Sequence, residues 1–127
     1  MSAATIIAQA VDEVMRRASG PDGQTGLCAT LTAHSAAGAE VWIQVIAGNI
    51  NMAYPFADEP IARFRLMQAF GPLQVELIDW QADTFVTWDT TGIARLDVVF
   101  LVDRFFTTIL GCADGYAPAV TLEDLDA

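Results

Sequence analysis

The run Val41-Trp42-Ile43-Gln44-Val45-Ile46 is β-branched or aromatic at five of its six positions, and Gly48-Asn49 follows it after Ala47, with Ile50, Met52 and Tyr54 behind. A turn dipeptide between two such runs constrains the chain more than any other feature. Both segments read as strands, and strands joined by a tight turn must pair antiparallel. Upstream, residues 25–33 alternate, with Leu27, Ala29 and Leu31 on one face and Cys28, Thr30 and Thr32 on the other. A loop of small residues, 34–39, then brings the chain back. Three consecutive antiparallel strands are therefore expected over 25–33, 40–47 and 50–54.

Helical periodicity brackets these strands. Ile6, Ile7, Ala10, Val11, Val14 and Ala18 form one stripe behind a Ser2 cap, Arg16 and Arg17 suit the negative end, and Ser19-Gly20-Pro21 stops the helix. Asp58-Glu59-Pro60 starts a second helix, carrying Ile61, Phe64, Met67 and Phe70 and closed by Gly71-Pro72. Leu73, Val75 and Leu77 then alternate with Gln74, Glu76 and Ile78, and after a turn near 81–83 the segment 84–88 supplies Phe85, Val86 and Trp88 as a second hairpin. Thr90-Thr91-Gly92 precede the last helix, 93–110. Its apolar residues Leu96, Val98, Val99, Phe100, Leu101, Val102, Phe105, Phe106, Ile109 and Leu110 cover more than one stripe, so burial on two sides is expected. Thr121-Leu122-Glu123-Asp124 resembles a capping box but reads better as a frayed acidic terminus. The expected fold is α+β, a five-stranded antiparallel sheet in the order α-β-β-β-α-β-β-α. One domain spans 1–127, with its core over about 3–111 and an acidic tail over 112–127.

Charge narrows the partners. Six basic residues, all arginine, face sixteen acidic ones for a net charge of −10, so no cluster exists to neutralise a row of phosphates. Nucleic acid and anionic membrane surfaces are poor partners. The greasiest window, 93–110, contains Arg95, Asp97, Asp103 and Arg104, too many charges for a membrane span. The N-terminal residues lack a basic region followed by an apolar one, so no secretory signal is expected, and Cys28 and Cys112 read as buried thiols of a reducing cytoplasm.

Chemistry finds no home in the sequence. His34 and Ser35 are neighbours on a loop without a nucleophile elbow, and one histidine with two distant cysteines gives no zinc set. Asp79, Asp83 and Asp89 flank the second hairpin as turn acids, and Gly20-Pro21-Asp22-Gly23 lacks the lysine of a phosphate loop. Neither catalytic residues nor a cofactor are expected. The apolar surplus is more informative, since 54% of the residues are hydrophobic and all three tryptophans fall on strands. A sheet with helices on one face leaves part of the set Cys28, Trp42, Gln44, Ile46, Trp80 and Trp88 for another chain to cover. The expected client-binding residues are Trp42, Ile46, Met52, Trp80 and Trp88. Val98, Leu101, Val102 and Phe105 of the last helix are expected at a homodimer contact, with β-augmentation or an apolar peptide groove the next explanation.

This element order, in an acidic chain of about this length, resembles the type III secretion chaperone-like fold shared by the Tir chaperone, YbjN and putative peptide-binding chaperone families. Residues 41–56, ending Tyr54-Pro55-Phe56, look like that fold's second and third strands, and Leu66-Met67 stand where its second helix commonly has a leucine pair. In place of the asparagine that often follows, the chain has Gln68-Ala69-Phe70-Gly71. The resemblance implies a cytosolic homodimer that holds an extended segment of a client protein without ATP. Two other classes fit the same composition. One is a small ligand-binding or enzymatic domain using Asp79 or Asp89 with an arginine. The other is an acidic immunity- or inhibitor-type protein steered to a basic partner.

Overall fold

A computed structural model describes residues 1–21, 23–65 and 75–125. Helix α1, Ala3–Ala18, is capped by Ser2, whose Oγ accepts from the Thr5 N–H at 3.2 Å. Its stripe of Ile7, Ala10, Val11 and Val14 is buried, and Glu13 binds both Arg16 and Arg17 on the outer face. Strands β1 (Leu27–His34), β2 (Glu40–Ile46) and β3 (Asn49–Ala53) form the antiparallel meander. The β2–β3 turn is Ala47-Gly48, one residue earlier than Gly48-Asn49, because Ile46 pairs with Asn49. Gly48 has φ +83°, and a Cβ there would sit 3.2 Å from the Thr91 hydroxyl, so glycine serves both the turn and the close approach.

Helix α2, Pro60–Phe64, is capped by Glu59. Its expected continuation through Leu66-Met67 to Phe70, and the start of the next strand at Leu73, lie outside the described residues. Strands β4 (Glu76–Gln81) and β5 (Phe85–Asp89) make the second hairpin, turning through Asp83 at φ 59°. Helix α3, Arg95–Arg104, runs into a π-helical turn, Phe105–Ile109, in which the Leu110 N–H donates to the Phe105 carbonyl at 2.9 Å. Among the described residues, no helix is long and apolar enough to cross a membrane.

Among the described residues the sheet has six strands, where sequence suggested five, in the order β4-β5-β3-β2-β1-β6. The sixth, β6 (Ala119–Asp124), is formed by the tail expected to fray. The reason lies in β1. Its residues 29, 31 and 33 bond to β2, which leaves the N–H and C=O groups of 28, 30 and 32 facing the other way. Leu27, Cys28 and Ala29 are buried there, and buried backbone groups need partners. β6 supplies them, with Thr30 opposite Thr121. Tyr116 steers the tail into place, stacking on Phe106 with centroids 5.3 Å apart and donating its hydroxyl to Asp103 Oδ1 at 2.7 Å.

α1 packs on α3 and on β1 and β2, so both long helices share one sheet face. The core between them contains Ile7, Val11, Leu31, Ile43, Ile50, Val86, Leu101, Val102 and Phe106. This corrects the expected dimer contact. Val98, Leu101, Val102 and Phe105 are all at most 1% exposed within a single chain, because α3 turns that stripe onto α1 and the sheet. The large apolar residues α3 leaves outside are Leu96 and Phe100, 79% and 46% exposed.

Burial together with the Asp103 carboxylate holds the Tyr116 phenol far above its ordinary value of 10.0. A raised phenol pKa favours the neutral folded form. Its stabilising contribution is therefore whole below pH about 10 and declines above it, as the unfolded chain ionises. Chemical denaturation of Tyr116→Phe beside the unmodified protein checks this. The variant should be the less stable at pH 7, and the gap should narrow above pH about 10.

Candidate functional site

The parity of the strands divides the sheet into a covered face and an open one. Ile43 pairs with Met52, Ile50 with Trp88 and Met52 with Val86, so these side chains share the helix-facing side. Met52 and Trp88 are each 0% exposed. Phe64 stacks on Trp88 at 4.7 Å and on Phe105 at 5.3 Å, closing the core at that end. Trp80 pairs with Val86 on the same side and meets Tyr54 edge-on at 6.2 Å. Three of the five expected client-binding residues, Met52, Trp80 and Trp88, therefore belong to the helix-facing layer. The two-residue β2–β3 turn fixes this for Met52 by setting it opposite Ile43, and pairing with Ile50 and Val86 carries the same face to Trp88 and Trp80.

Trp42 and Ile46 remain on the open face. Trp42 pairs with Thr32 and is half-buried. With Thr30, Thr32, Glu40 and Gln44 it lines a surface concavity of about 320 Å³. Ile46 is also half-buried and pairs with Asn49.

Between these apolar side chains runs a row of polar groups that sequence reasoning missed. The Thr87 hydroxyl donates to Asn51 Oδ1 at 2.8 Å, Asn51 Nδ2 to Gln44 Oε1 at 3.1 Å, and Gln44 Nε2 to Thr30 Oγ1 at 3.3 Å. Cys28 Sγ lies 3.8 Å from the Thr30 hydroxyl and extends the row. Each amide points its carbonyl toward β5 and its NH₂ toward β1. Four strands are thus cross-linked by side chains as well as by backbone. The signal was present in sequence, because Thr30, Gln44, Asn51 and Thr87 each fall between apolar residues of the covered face.

Charge is sorted in the same way. Glu40, Glu76, Asp79, Asp89 and Glu123 all have open-face parity, and none of the six strands contains an arginine. The six arginines lie in or beside the helices, where Arg95 pairs with Asp12 at 2.9 Å and Arg63 with Asp58 at 3.0 Å. Asp79 accepts from the Trp80 N–H at 2.9 Å and Asp89 from the Thr91 N–H at 2.8 Å. The Thr91 side chain and backbone hold the Asp89 carboxyl below its ordinary range. Among the described residues neither aspartate pairs with an arginine. Ser35 Oγ accepts from the Ala39 N–H within its turn, with His34 exposed at the strand end. No group of three metal-ligating side chains gathers among the described residues. Cys28 and Cys112 are free and buried, and burial raises both thiols.

Urea unfolding of three variants checks this division. Trp88→Ala should cost about 3–5 kcal/mol and Met52→Ala about 2–5 kcal/mol, as buried truncations do, whereas Trp42→Ala should cost less than about 1.5 kcal/mol. Asn51→Ala removes one partner from both Thr87 and Gln44 on a face that water can reach, and should cost about 1 kcal/mol.

Compared with known proteins, the chain matches no family model, no curated protein and no solved structure.

Proposed function

We propose that this protein is a non-enzymatic binding domain that holds an extended, basic segment of a client protein across its open sheet face. The observation that carries this reading is the surround of Trp42. An aromatic ring and an aliphatic side chain, Trp42 and Ile46, sit on a face that displays Glu40, Glu76, Asp79, Asp89 and Glu123 with no cation among its strands. Such a face suits a chain that alternates apolar side chains with arginine or lysine. The apolar groups would cover the indole and Ile46, the cations would meet the carboxylates, and a cation over the indole adds a further attraction.

The polar row supports the same reading. Its members satisfy one another, so the free protein can carry them on a half-covered surface, and each amide keeps a spare N–H and a spare lone pair for a client. The order α1-β1-β2-β3-α2-β4-β5-α3 is the one on which the resemblance to the type III secretion chaperone-like fold rests, and it favours an adaptor or chaperone of that kind. β6 is an addition to the expected pattern. Free thiols at Cys28 and Cys112 fit work in the cytoplasm.

Immobilised arrays of extended peptides that differ only in the sign of their charged positions provide the test. Apolar-basic peptides should be captured and apolar-acidic ones refused, and binding should weaken as salt screens the carboxylates. Trp42→Ala and Ile46→Asp should each lower capture at least about fivefold while the protein stays folded. Equal capture of both charge types, or capture that survives loss of Trp42 and Ile46, overturns the reading.

A further inference from the structure

β6 ends the sheet, and its outer edge has a definite pattern. The Leu125 N–H donates to the Gly26 carbonyl at 2.9 Å, one step beyond the Leu27–Asp124 pair. Antiparallel ladders alternate, so Ala119, Thr121 and Glu123 turn their backbone groups toward β1 while Val120, Leu122 and Asp124 turn theirs outward. Among the described residues no strand takes up that outer edge. Val120 and Leu122 have helix-side parity yet are 37% and 49% exposed, since α1 does not reach over them. With Ile6, Gln9, Ala10 and Glu13 of α1 they line a surface groove of about 280 Å³. Residues 119–122 are uncharged, and the acids begin only at Glu123 and Asp124.

We propose that a second copy of this chain occupies the edge, β6 pairing antiparallel with the partner's β6 about a two-fold axis at Thr121. The sequence of the strand is complementary to itself in that register. Leu122 falls opposite the partner's Val120, so both exposed apolar side chains find apolar neighbours beside the α1 groove. The outward backbone groups of these residues bond reciprocally, as an isologous contact requires. Glu123 falls opposite the partner's Ala119, and Asp124 opposite the partner's Pro118. No carboxylate then faces another, although each copy has a net charge of −10. A register with Glu123 opposite its own counterpart would set like charges together and is disfavoured. The two sheets become one continuous sheet, and both open faces remain available to clients.

Cysteine substitution reads the register directly. Directly opposite residues in such a pair have Cα atoms about 4.5–5.5 Å apart, within disulfide range. Two copies of residue 123 would be more than about 13 Å apart along the strands. Light scattering should find the unmodified protein dimeric at micromolar concentration, and more firmly so as added salt screens its acidity. With Cys28 replaced by serine in both variants, because Cys28 stands opposite Glu123 on β1 and would otherwise trap a cysteine at 123 within the chain, Thr121→Cys should under mild oxidation form a covalent dimer at least about tenfold faster than Glu123→Cys. Leu122→Lys should weaken association at least about tenfold with the circular dichroism unchanged, and Trp42→Ala should leave the dimer intact. A monomeric unmodified protein, or equal cross-linking at 121 and 123, overturns the proposal. Should Leu122→Lys fail to fold, the cysteine pair still decides. Peptide capture is read separately from dimerisation, so the client reading and this one fail independently.

Discussion

Two long helices and one sheet face enclose a single apolar layer, and the position of nearly every other side chain follows from it. Ile7, Val11 and Val14 of α1, the buried stripe of α3, and the odd-numbered residues of β1 and β2 meet there. The period of two in a strand then leaves each intervening residue on the far side. Burial on one face thereby dictates what the opposite face can be. Ile43 must be in, so Trp42 and Gln44 must be out, and the register carries that choice to Asn51 and Thr87. The open face is thus a by-product of the core in its placement, while its chemistry is free to serve another purpose.

That chemistry separates charges. Arginines belong to the helical layer, where they bind Glu13, Asp12 and Asp58, whereas the acids of the strands, Asp124 at the end of β6 excepted, lie on the other side of the sheet. A net charge of −10 spread evenly would serve only solubility. Five of the sixteen acids stand on the open face, where no arginine accompanies them, so that face has a definite sign. The same separation bears on the sheet edge, where residues 119–122 are free of charge and the acids stand at one end.

The sequence made α1 legible to its last residue, because a strict helical stripe, a serine cap and a glycine-proline stop all agree. The meander was legible too, from β-branched runs and turn glycines. Face assignment was not taken from those signals. Trp42, Met52 and Trp88 look alike as aromatic or apolar strand residues, yet one is on the open face and two are in the core, a difference held only in parity counted across the Ala47-Gly48 turn. β6 was hidden for a different reason. Its alternation of Val120 and Leu122 with Thr121 and Glu123 is short, acidic and next to the chain end, and what makes it a strand is the unpaired side of β1, a demand no local pattern displays. The last helix misled through its even spread of apolar residues, which hid that Leu96 and Phe100 point away from a stripe already satisfied within the chain.

The π-turn at Phe105–Ile109 has a mechanical meaning for the sixth strand. Its i→i+5 hydrogen bond widens the last turn of the helical segment, which ends at Leu110. Two consecutive phenylalanines, Phe105 and Phe106, are both fully buried there, Phe105 against Phe64 and Phe106 against Tyr116. Just beyond that turn the Gly111 carbonyl accepts from the Ala36 N–H, and Phe106 meets Tyr116, so this end of the helical layer is tied to the β1–β2 loop and to the segment that leads into β6. The turn that closes the core therefore also fixes the start of the path to the sheet edge, where β6 pairs with β1.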